Sequence, residues 1–179
     1  MFTRKECLKR YGSDYIIRQH VAAGDLFRLD KHIYSEEKNV PELAVIAFKY
    51  PHAAVTMHTA FYLHGMTDTI PDEYDLATDR NATKIQDPKV KQYFLPADLF
   101  PLGMEKMNYK GYDILVYGKE RMLIELLRYK SKVPYDYYKE LILNYRRLMP
   151  RLNIQKIRTY AQAAPRSDRI LETLQTEVL

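Results

Sequence analysis

Tryptophan is absent from this chain of 179 residues, cysteine occurs once, and no long apolar run is present. The single cysteine, Cys7, excludes an intramolecular disulfide framework and is typical of a reducing compartment. No window approaches the run of about 18 apolar residues that a membrane-spanning helix needs. The amino terminus also lacks the apolar core of a signal peptide. We therefore expect a soluble, cytoplasmic protein that does not contact a membrane.

Signatures of catalysis are missing as well. The chain has no P-loop, no dinucleotide-binding fingerprint and no nucleophile elbow. His52, His58 and His64 recur every six residues, which places successive rings about 120° apart around a helix and argues against a metal site. Asp75 and Asp79 lie too far apart along a predicted strand to form the carboxylate pair that clamps magnesium. We expect no catalytic residue, no metal and no cofactor.

Basic residues are in excess, with a formal net charge of +5. Residues 1–34 hold seven basic and four acidic side chains, and residues 119–169 hold thirteen basic and five acidic ones. This balance favours an anionic partner. The second stretch could extend a DNA contact surface or hold another anion. The alternative is an ordinary solvated helix face with ion pairs inside the helix.

The first 35 residues follow the order of helix, tight turn, helix and short hairpin. Thr3 and Glu6 have the spacing of a capping box, Gly12 supplies a turn, and Gly24 ends a second helix over residues 15–23. The hairpin turn is predicted at Asp30-Lys31. This order is typical of a winged helix-turn-helix that binds DNA. A small helical hairpin followed by a β-turn would give the same pattern.

Polar side chains on this segment divide into two candidate sets. The second helix presents residue types that contact base edges in the major groove, namely Tyr15, Arg18 and Gln19. The flanking positions offer candidate phosphate contacts, namely Ser13, Arg28, Lys31 and His32.

A polar run closed by proline, SEEKNVP, predicts a boundary between a first domain over residues 1–38 and a second over residues 39–179. The second domain reads as α/β or α+β, with strands first and helices after. Its predicted strands cover residues 53–55, 74–79, 93–95, 106–109 and 112–117. Its predicted helices cover residues 42–49, 57–64, 119–129, 135–148, 154–163 and 167–179.

Three segments, which together span nearly the whole chain, resemble one protein family. They are YGSDYIIRQHVAAGDLFRLDKHIYS, VTMHTAFYLHGMTDTIPDEYDLATDR and YGKERMLIELLRYKSKVPYDYYKELILNYRR, in that order. Together they are similar to the AbiEi-type antitoxins of type IV toxin–antitoxin systems, which act in abortive infection and phage defence. The shared positions are apolar, tyrosine and arginine residues rather than catalytic signatures.

The resemblance implies an amino-terminal winged helix-turn-helix that represses its own operon by binding inverted repeats in double-stranded DNA. It also implies a second domain with a degenerate nucleotidyltransferase-like architecture and carboxy-terminal helices. The functional partner of such an antitoxin is a nucleotidyltransferase toxin, countered without a stable complex. The helix end HGMTD lacks the Gly-Ser pair of an active nucleotidyltransferase, which argues against an enzyme.

Our hypothesis is therefore a DNA-binding antitoxin and transcriptional autorepressor. The basic helices add candidate contacts to DNA or another anion, namely Arg128, Lys130, Lys132, Arg146 and Arg147. One alternative is a metal-dependent nucleotidyl- or phosphotransfer enzyme that uses Asp75 and Asp79. Another is a module that binds the toxin directly, with exposed tyrosines of YDYYKELILNYRR as anchors.

Overall fold

The computed structural model describes residues 1–179, and the chain divides into two compact units. The first unit comprises Met1–Pro51 and Asn108–Ile114, and the second comprises His52–Met107 and Leu115–Leu179. The first unit therefore takes in residues beyond the predicted segment 1–38. No helix in either unit has both the length and the apolar character that crossing a bilayer requires.

The first unit contains three helices and a three-stranded antiparallel sheet. In chain order its elements are β1 (Phe2–Thr3), α1 (Arg4–Tyr11), α2 (Asp14–Ala23), β2 (Phe27–Asp30), β3 (Ile33–Ser35) and α3 (Glu42–Lys49). The strand order is β1-β3-β2, so β3 is central and pairs with both neighbours. Strand β1 was not predicted, because two residues are too few to show an alternating pattern.

Local side-chain chemistry sets the ends of α1 and α2. The Thr3 hydroxyl accepts from the Glu6 backbone N–H, and the Glu6 carboxylate accepts from the Thr3 backbone N–H, which completes the predicted capping box. Ser13 caps α2 by accepting from the Ile16 backbone N–H at 3.3 Å. Gly24 ends α2 in the left-handed conformation, with φ of 83°.

A small apolar core joins α1, α2 and the sheet. Cys7, Ile17, Leu26 and Tyr34 are buried together, and partly buried apolar side chains pack against them, namely Phe2, Leu8 and Tyr11. Cys7, Leu8 and Tyr11 therefore form the apolar face of α1. Burial also raises the pKa of the Cys7 thiol, which keeps this sulfur in its neutral form.

The second unit contains most of a five-stranded mixed sheet, with helices around it; the adjoining ends of the last two strands, within residues 108–114, are counted in the first unit. Its strands are β4 (Ala54–Val55), β5 (Tyr74–Asp79), β6 (Val90–Leu95), β7 (Met104–Tyr109) and β8 (Tyr112–Tyr117). Their order is β6-β5-β4-β8-β7. The central strand β4 runs antiparallel to β5 and parallel to β8, while β5 and β6 are parallel. The predicted mixed α/β class is confirmed.

The helices of this unit match the predicted ranges closely. They are α4 (Met57–Leu63), α5 (Lys119–Arg128), α6 (Tyr135–Leu148), α7 (Ile154–Ala163) and α8 (Ser167–Glu177), with 3₁₀ turns at Lys130–Lys132 and Met149–Arg151. Helix α5 packs against α4, α7 and α8. Seven consecutive residues, Arg121 to Leu127, are buried in it. A helix buried on all sides forms the centre of this unit.

The packing of the first unit should depend strongly on Ile17. Its side chain is 2% exposed inside the small core, so Ile17→Ala leaves a cavity and should lower the free energy of unfolding by about 2 to 5 kcal/mol. Urea unfolding followed by circular dichroism measures this change. Val21→Ala, on the same helix but 36% exposed, is the control and should cost less than about 1 kcal/mol. Equal effects of the two substitutions would contradict the packing described.

Candidate functional site

One face of α2 is exposed and polar. Tyr15, Arg18 and Gln19 are all exposed, and their spacing of three and four residues places them side by side on the helix. The Gln19 Nε2 donates to the Tyr15 hydroxyl at 3.0 Å. Arg18 Nε donates to the Asp14 carbonyl at 3.3 Å and makes no ion pair, so the terminal nitrogens of its guanidinium stay open to solvent.

An ion pair holds the start of α2 against the start of α1. Arg4 donates from Nε to Asp14 Oδ1 at 3.0 Å and from Nη2 to Asp14 Oδ2, so the contact uses both carboxylate oxygens. The hydrogen bonds from Arg4 lower the pKa of the Asp14 carboxyl. A two-point contact fixes orientation as well as distance. The exposed face of α2 is therefore held in a defined direction within the first unit.

The hairpin β2–β3 presents its own basic end. Arg28, Lys31 and His32 are exposed, and the His32 carbonyl accepts from the Arg4 backbone N–H at 2.8 Å. The turn falls at Lys31-His32, with His32 at φ of 65°, rather than at Asp30-Lys31 as predicted. Asp30 still belongs to β2, because it pairs with Ile33 after a bulge. The turn prediction was wrong by one residue.

Asp30 also anchors this turn. Its carboxylate accepts from the Lys31 backbone N–H at 2.6 Å and lies 2.7 Å from Lys49 Nζ at the end of α3.

The seven predicted DNA-contacting residues are all exposed in the first unit, on α2, on its cap or on the hairpin. Exposure makes contact with DNA sterically available, and the contact itself stays a prediction.

The basic residues predicted in the second unit have different surroundings. Arg128 donates to both carboxylate oxygens of Glu125, at 2.8 and 2.7 Å. Lys130 pairs with the Glu177 carboxylate, and Arg146 donates to the Glu177 carbonyl at 2.8 Å. Burial alone would raise the pKa of Glu177, but the hydrogen bonds from Lys130 and Tyr138 lower it overall. Lys132 and Arg147 have no carboxylate partner.

The tyrosines of α6 are mostly not surface anchors. Tyr135 is 72% exposed, but Tyr138 is 5% exposed and Tyr145 is fully buried. The Tyr138 hydroxyl donates to Glu177 Oε2 at 2.6 Å, and the Tyr145 hydroxyl donates to the Lys119 carbonyl at 2.9 Å. The expectation of an exposed tyrosine cluster was therefore wrong, because these rings pack inside the unit.

Asp75 is buried at the amino-terminal end of α4. Its Oδ2 accepts from the His58 backbone N–H at 2.8 Å, and the Tyr93 hydroxyl hydrogen-bonds to the same carboxyl group. The His58 ring in turn stacks on Tyr137, with centroids 4.7 Å apart. A carboxylate at this position satisfies a backbone N–H that the helix leaves open. Asp75 thus has a structural role as a cap supplied from a neighbouring strand.

Asp79 lies at the opposite end of the same strand. Its Oδ1 accepts from the Asn81 backbone N–H at 2.8 Å. Residues four apart on a strand are separated by about 13 Å, so the two carboxylates cannot clamp one ion. No group of three or more histidine, cysteine or acidic side chains has an arrangement that could hold a metal.

The sequence reasoning missed a buried ion pair in α5. Arg121 Nη2 lies 2.5 Å from Glu125 Oε1, and both side chains are almost fully buried. The guanidinium also lies over the Tyr117 ring, 4.8 Å from its centroid, although none of its nitrogens has a well-aligned hydrogen-bond acceptor. Breaking such a pair leaves an uncompensated buried charge. Its sequence signal was an Arg and a Glu four residues apart within an otherwise apolar run.

Gly103 makes room for this arginine. A Cβ added at Gly103 would lie 2.5 Å from the Arg121 Cβ, and the glycine has φ of 77°. Both the space and the backbone conformation therefore require glycine there.

Comparison with known proteins gives a fold and no activity. No protein-family model matches this sequence, and no curated protein matches it. Among solved structures, the chain is similar to the RV2827C protein from Mycobacterium tuberculosis, with a TM-score of 0.65. The similarity covers 97% of this chain and 71% of that one, at 14% sequence identity. The likeness shows a shared fold, and that name states no function.

The buried carboxyl of Asp75 should make stability depend on pH. Burial raises its pKa above the ordinary value of 3.8. The stability that the protonated carboxyl contributes is fully present below the ordinary pKa and is lost as the pH rises through the raised pKa. Asp75→Asn keeps a hydrogen-bonding side chain that cannot ionise. As the pH rises, the unfolding free energy of the wild type should therefore fall relative to that of Asp75→Asn.

Urea unfolding at a series of pH values measures this difference, with Asp79→Asn on the same strand as the matched control. If the wild type instead becomes more stable relative to Asp75→Asn as the pH rises, the folded protein favours the Asp75 carboxylate, contrary to the burial argument.

Proposed function

We propose that this chain is a DNA-binding antitoxin of a type IV toxin–antitoxin system and represses its own operon in the cytoplasm. The first unit acts as a winged helix-turn-helix, with α2 in the major groove and the β2–β3 hairpin as the wing. Two such modules would read the two halves of an inverted repeat. The second unit acts against a nucleotidyltransferase toxin.

The exposed face of α2 is the observation that carries the DNA-binding proposal. Arginine contacts guanine and glutamine contacts adenine through paired hydrogen bonds, and each such contact discriminates against a wrong base by about 1 to 3 kcal/mol. Arg18 and Gln19 stand next to each other on a helix whose opposite side is buried through Ile17. A polar, exposed face on the second helix of such a pair is the arrangement that base reading requires.

The cap and the hairpin supply the phosphate contacts in this proposal. Ser13 uses its oxygen to cap α2, which leaves the hydroxyl proton available to donate to a phosphate. Arg28, Lys31 and His32 offer further donors on the hairpin. Contacts of this kind set the position and orientation of the module on the duplex without reading sequence.

The second unit supports the antitoxin proposal through resemblance and through what its acidic residues do. The resemblance implies a degenerate nucleotidyltransferase-like architecture for this unit. The segment HGMTD lacks the Gly-Ser pair of an active enzyme. Asp75 caps a helix and Asp79 lies far from it. We therefore propose that the chain is not itself a nucleotidyltransferase and that it counters the toxin without a stable complex.

Substitutions on α2 and on the hairpin should have different effects on DNA binding. Arg18→Ala and Gln19→Ala should each weaken binding to the DNA upstream of the gene by about 1 to 3 kcal/mol and bring it closer to binding of a scrambled duplex. Lys31→Ala should weaken binding to both duplexes alike. It should also reduce the slope of log affinity against log salt by about 0.9. Gel-shift titrations at several salt concentrations measure these effects.

Arg158→Ala is the matched control, because Arg158 is an exposed arginine of the second unit with no ion pair. It should leave the preference for upstream DNA unchanged. Equal losses on the upstream and scrambled duplexes with Arg18→Ala and Gln19→Ala would rule out base reading by α2.

The antitoxin proposal is tested separately by co-expression. Growth should be restored when this chain is expressed with a nucleotidyltransferase encoded immediately downstream, while affinity purification of the chain recovers none of that protein. Failure to restore growth would overturn the antitoxin proposal. Stable co-purification would show that the chain binds the toxin directly, contrary to the proposal that it acts without a stable complex.

A further inference from the structure

A cavity in the second unit is lined by basic side chains and by no acidic one. Its volume is about 690 Å³, within the range of small-molecule sites. It lies between the end of α5, the following 3₁₀ turn and the start of α8. Five of its lining residues are cationic, namely Arg128, Lys130, Lys132, Arg166 and Arg169. A concave surface of one charge sign concentrates counter-charged ligands.

Three of these cations have no carboxylate partner. Arg128 is paired with Glu125, and Lys130 is paired with Glu177. Lys132, Arg166 and Arg169 are exposed and make no ion pair. Lys132 lies over the Tyr129 ring, 5.4 Å from its centroid, and Arg128 lies over the same ring at 5.6 Å. The ring therefore holds two cations near each other without neutralising either one.

The start of α8 adds hydrogen-bond donors. Arg166 is the N-cap residue of this eleven-residue helix and makes no side-chain capping bond. The first backbone N–H groups of a helix have no partner within the helix and favour an anion. The exposed Asp168 in this first turn is the one acidic side chain there. Arg166 has φ of 61°, a conformation that costs an arginine more than it costs glycine or asparagine.

The charge and shape together indicate the class of ligand. One phosphate monoester carries about 1.5 to 2 negative charges at pH 7, so two or three linked phosphates match three unpaired cations. The rest of the wall combines three apolar residues with three that carry hydroxyl groups, namely Leu127, Pro165 and Ile170 with Tyr129, Ser131 and Thr173. We infer that this cavity binds a small ligand with a diphosphate or triphosphate chain, either inorganic or part of a nucleotide.

For Arg128, Lys130 and Lys132, which were predicted to contact DNA or another anion, this assignment takes the second alternative. It does not depend on the DNA-binding proposal, because all of the residues involved lie in the second unit. Calorimetry with the full chain at about 0.15 M salt, where weak surface electrostatics are screened, tests it. The three probes are inorganic triphosphate, ATP and GTP, and a DNA duplex of scrambled sequence is titrated alongside them as the competing class of ligand.

Saturable binding of one equivalent of inorganic triphosphate is expected. Lys132→Gln and Arg169→Gln should each weaken that binding by about tenfold, which corresponds to 1.4 kcal/mol. Arg166→Asn should act similarly, and asparagine tolerates the left-handed backbone. The matched control is Arg158→Gln, an exposed arginine of α7 outside the cavity, which should bind as the wild type does. Unchanged melting temperatures check that the variants fold.

The outcomes separate the sources of the phosphate chain. Tighter binding of ATP or GTP than of inorganic triphosphate identifies a nucleotide, and equal binding identifies the phosphate chain alone. Absence of saturable binding by all three probes overturns the inference. So does binding that is the same in Lys132→Gln, Arg169→Gln and the wild type. Variants that lose affinity only for duplex DNA would assign these cations to nucleic acid and overturn it too.

Discussion

Burial of Ile17 determines which side of α2 faces solvent. The side chain is 2% exposed within a core that also contains Cys7, Leu26 and Tyr34. Because each residue turns a helix by about 100°, positions 15 and 19 then lie nearly opposite the core and position 18 lies beside them. The ion pair between Arg4 and Asp14 fixes the start of the same helix. Core packing and one charged contact thus define the face that we propose reads DNA.

The second unit depends on a different constraint, a helix buried on all sides. Helix α5 carries Arg121 and Glu125 into the interior, where the two charges balance each other and the arginine also lies over Tyr117. Glu125 is shared with Arg128, whose side chain reaches the cavity next to α8. The buried pair therefore also holds one of the cations at the site that we assign to a phosphate chain. Glu125 therefore links the buried ion pair to a cation of the proposed phosphate site.

Much of the fold could be predicted from the sequence because the relevant signals are local. The helices over Glu42–Lys49, Tyr135–Leu148 and Ile154–Ala163 have the predicted bounds, set by apolar periodicity and by proline or a capping side chain nearby. Strand β1 was missed because its pairing with β3 is its only signature. The hairpin turn was misplaced by one residue because a bulge adds a residue to β2.

The sites were less predictable because residues far apart in the sequence come together to form them. The role of Asp75 depends on the backbone N–H of His58, seventeen residues earlier in the first turn of a helix, and that pairing leaves no mark on the local pattern. The basic cavity joins residues 127–132 to residues 165–173, which a charge count alone cannot distinguish from a solvated helix face. Exposed candidates on α2 were predictable, since a helical period separates buried from exposed positions.

The most direct test of the central claim is the affinity of the wild-type protein for the DNA upstream of its own gene relative to a scrambled duplex of equal length and composition. Gel-shift titration at physiological salt measures both. A winged helix-turn-helix repressor should bind the upstream DNA at least about 10³-fold more tightly than the scrambled duplex. Equal affinity for the two duplexes would contradict the account.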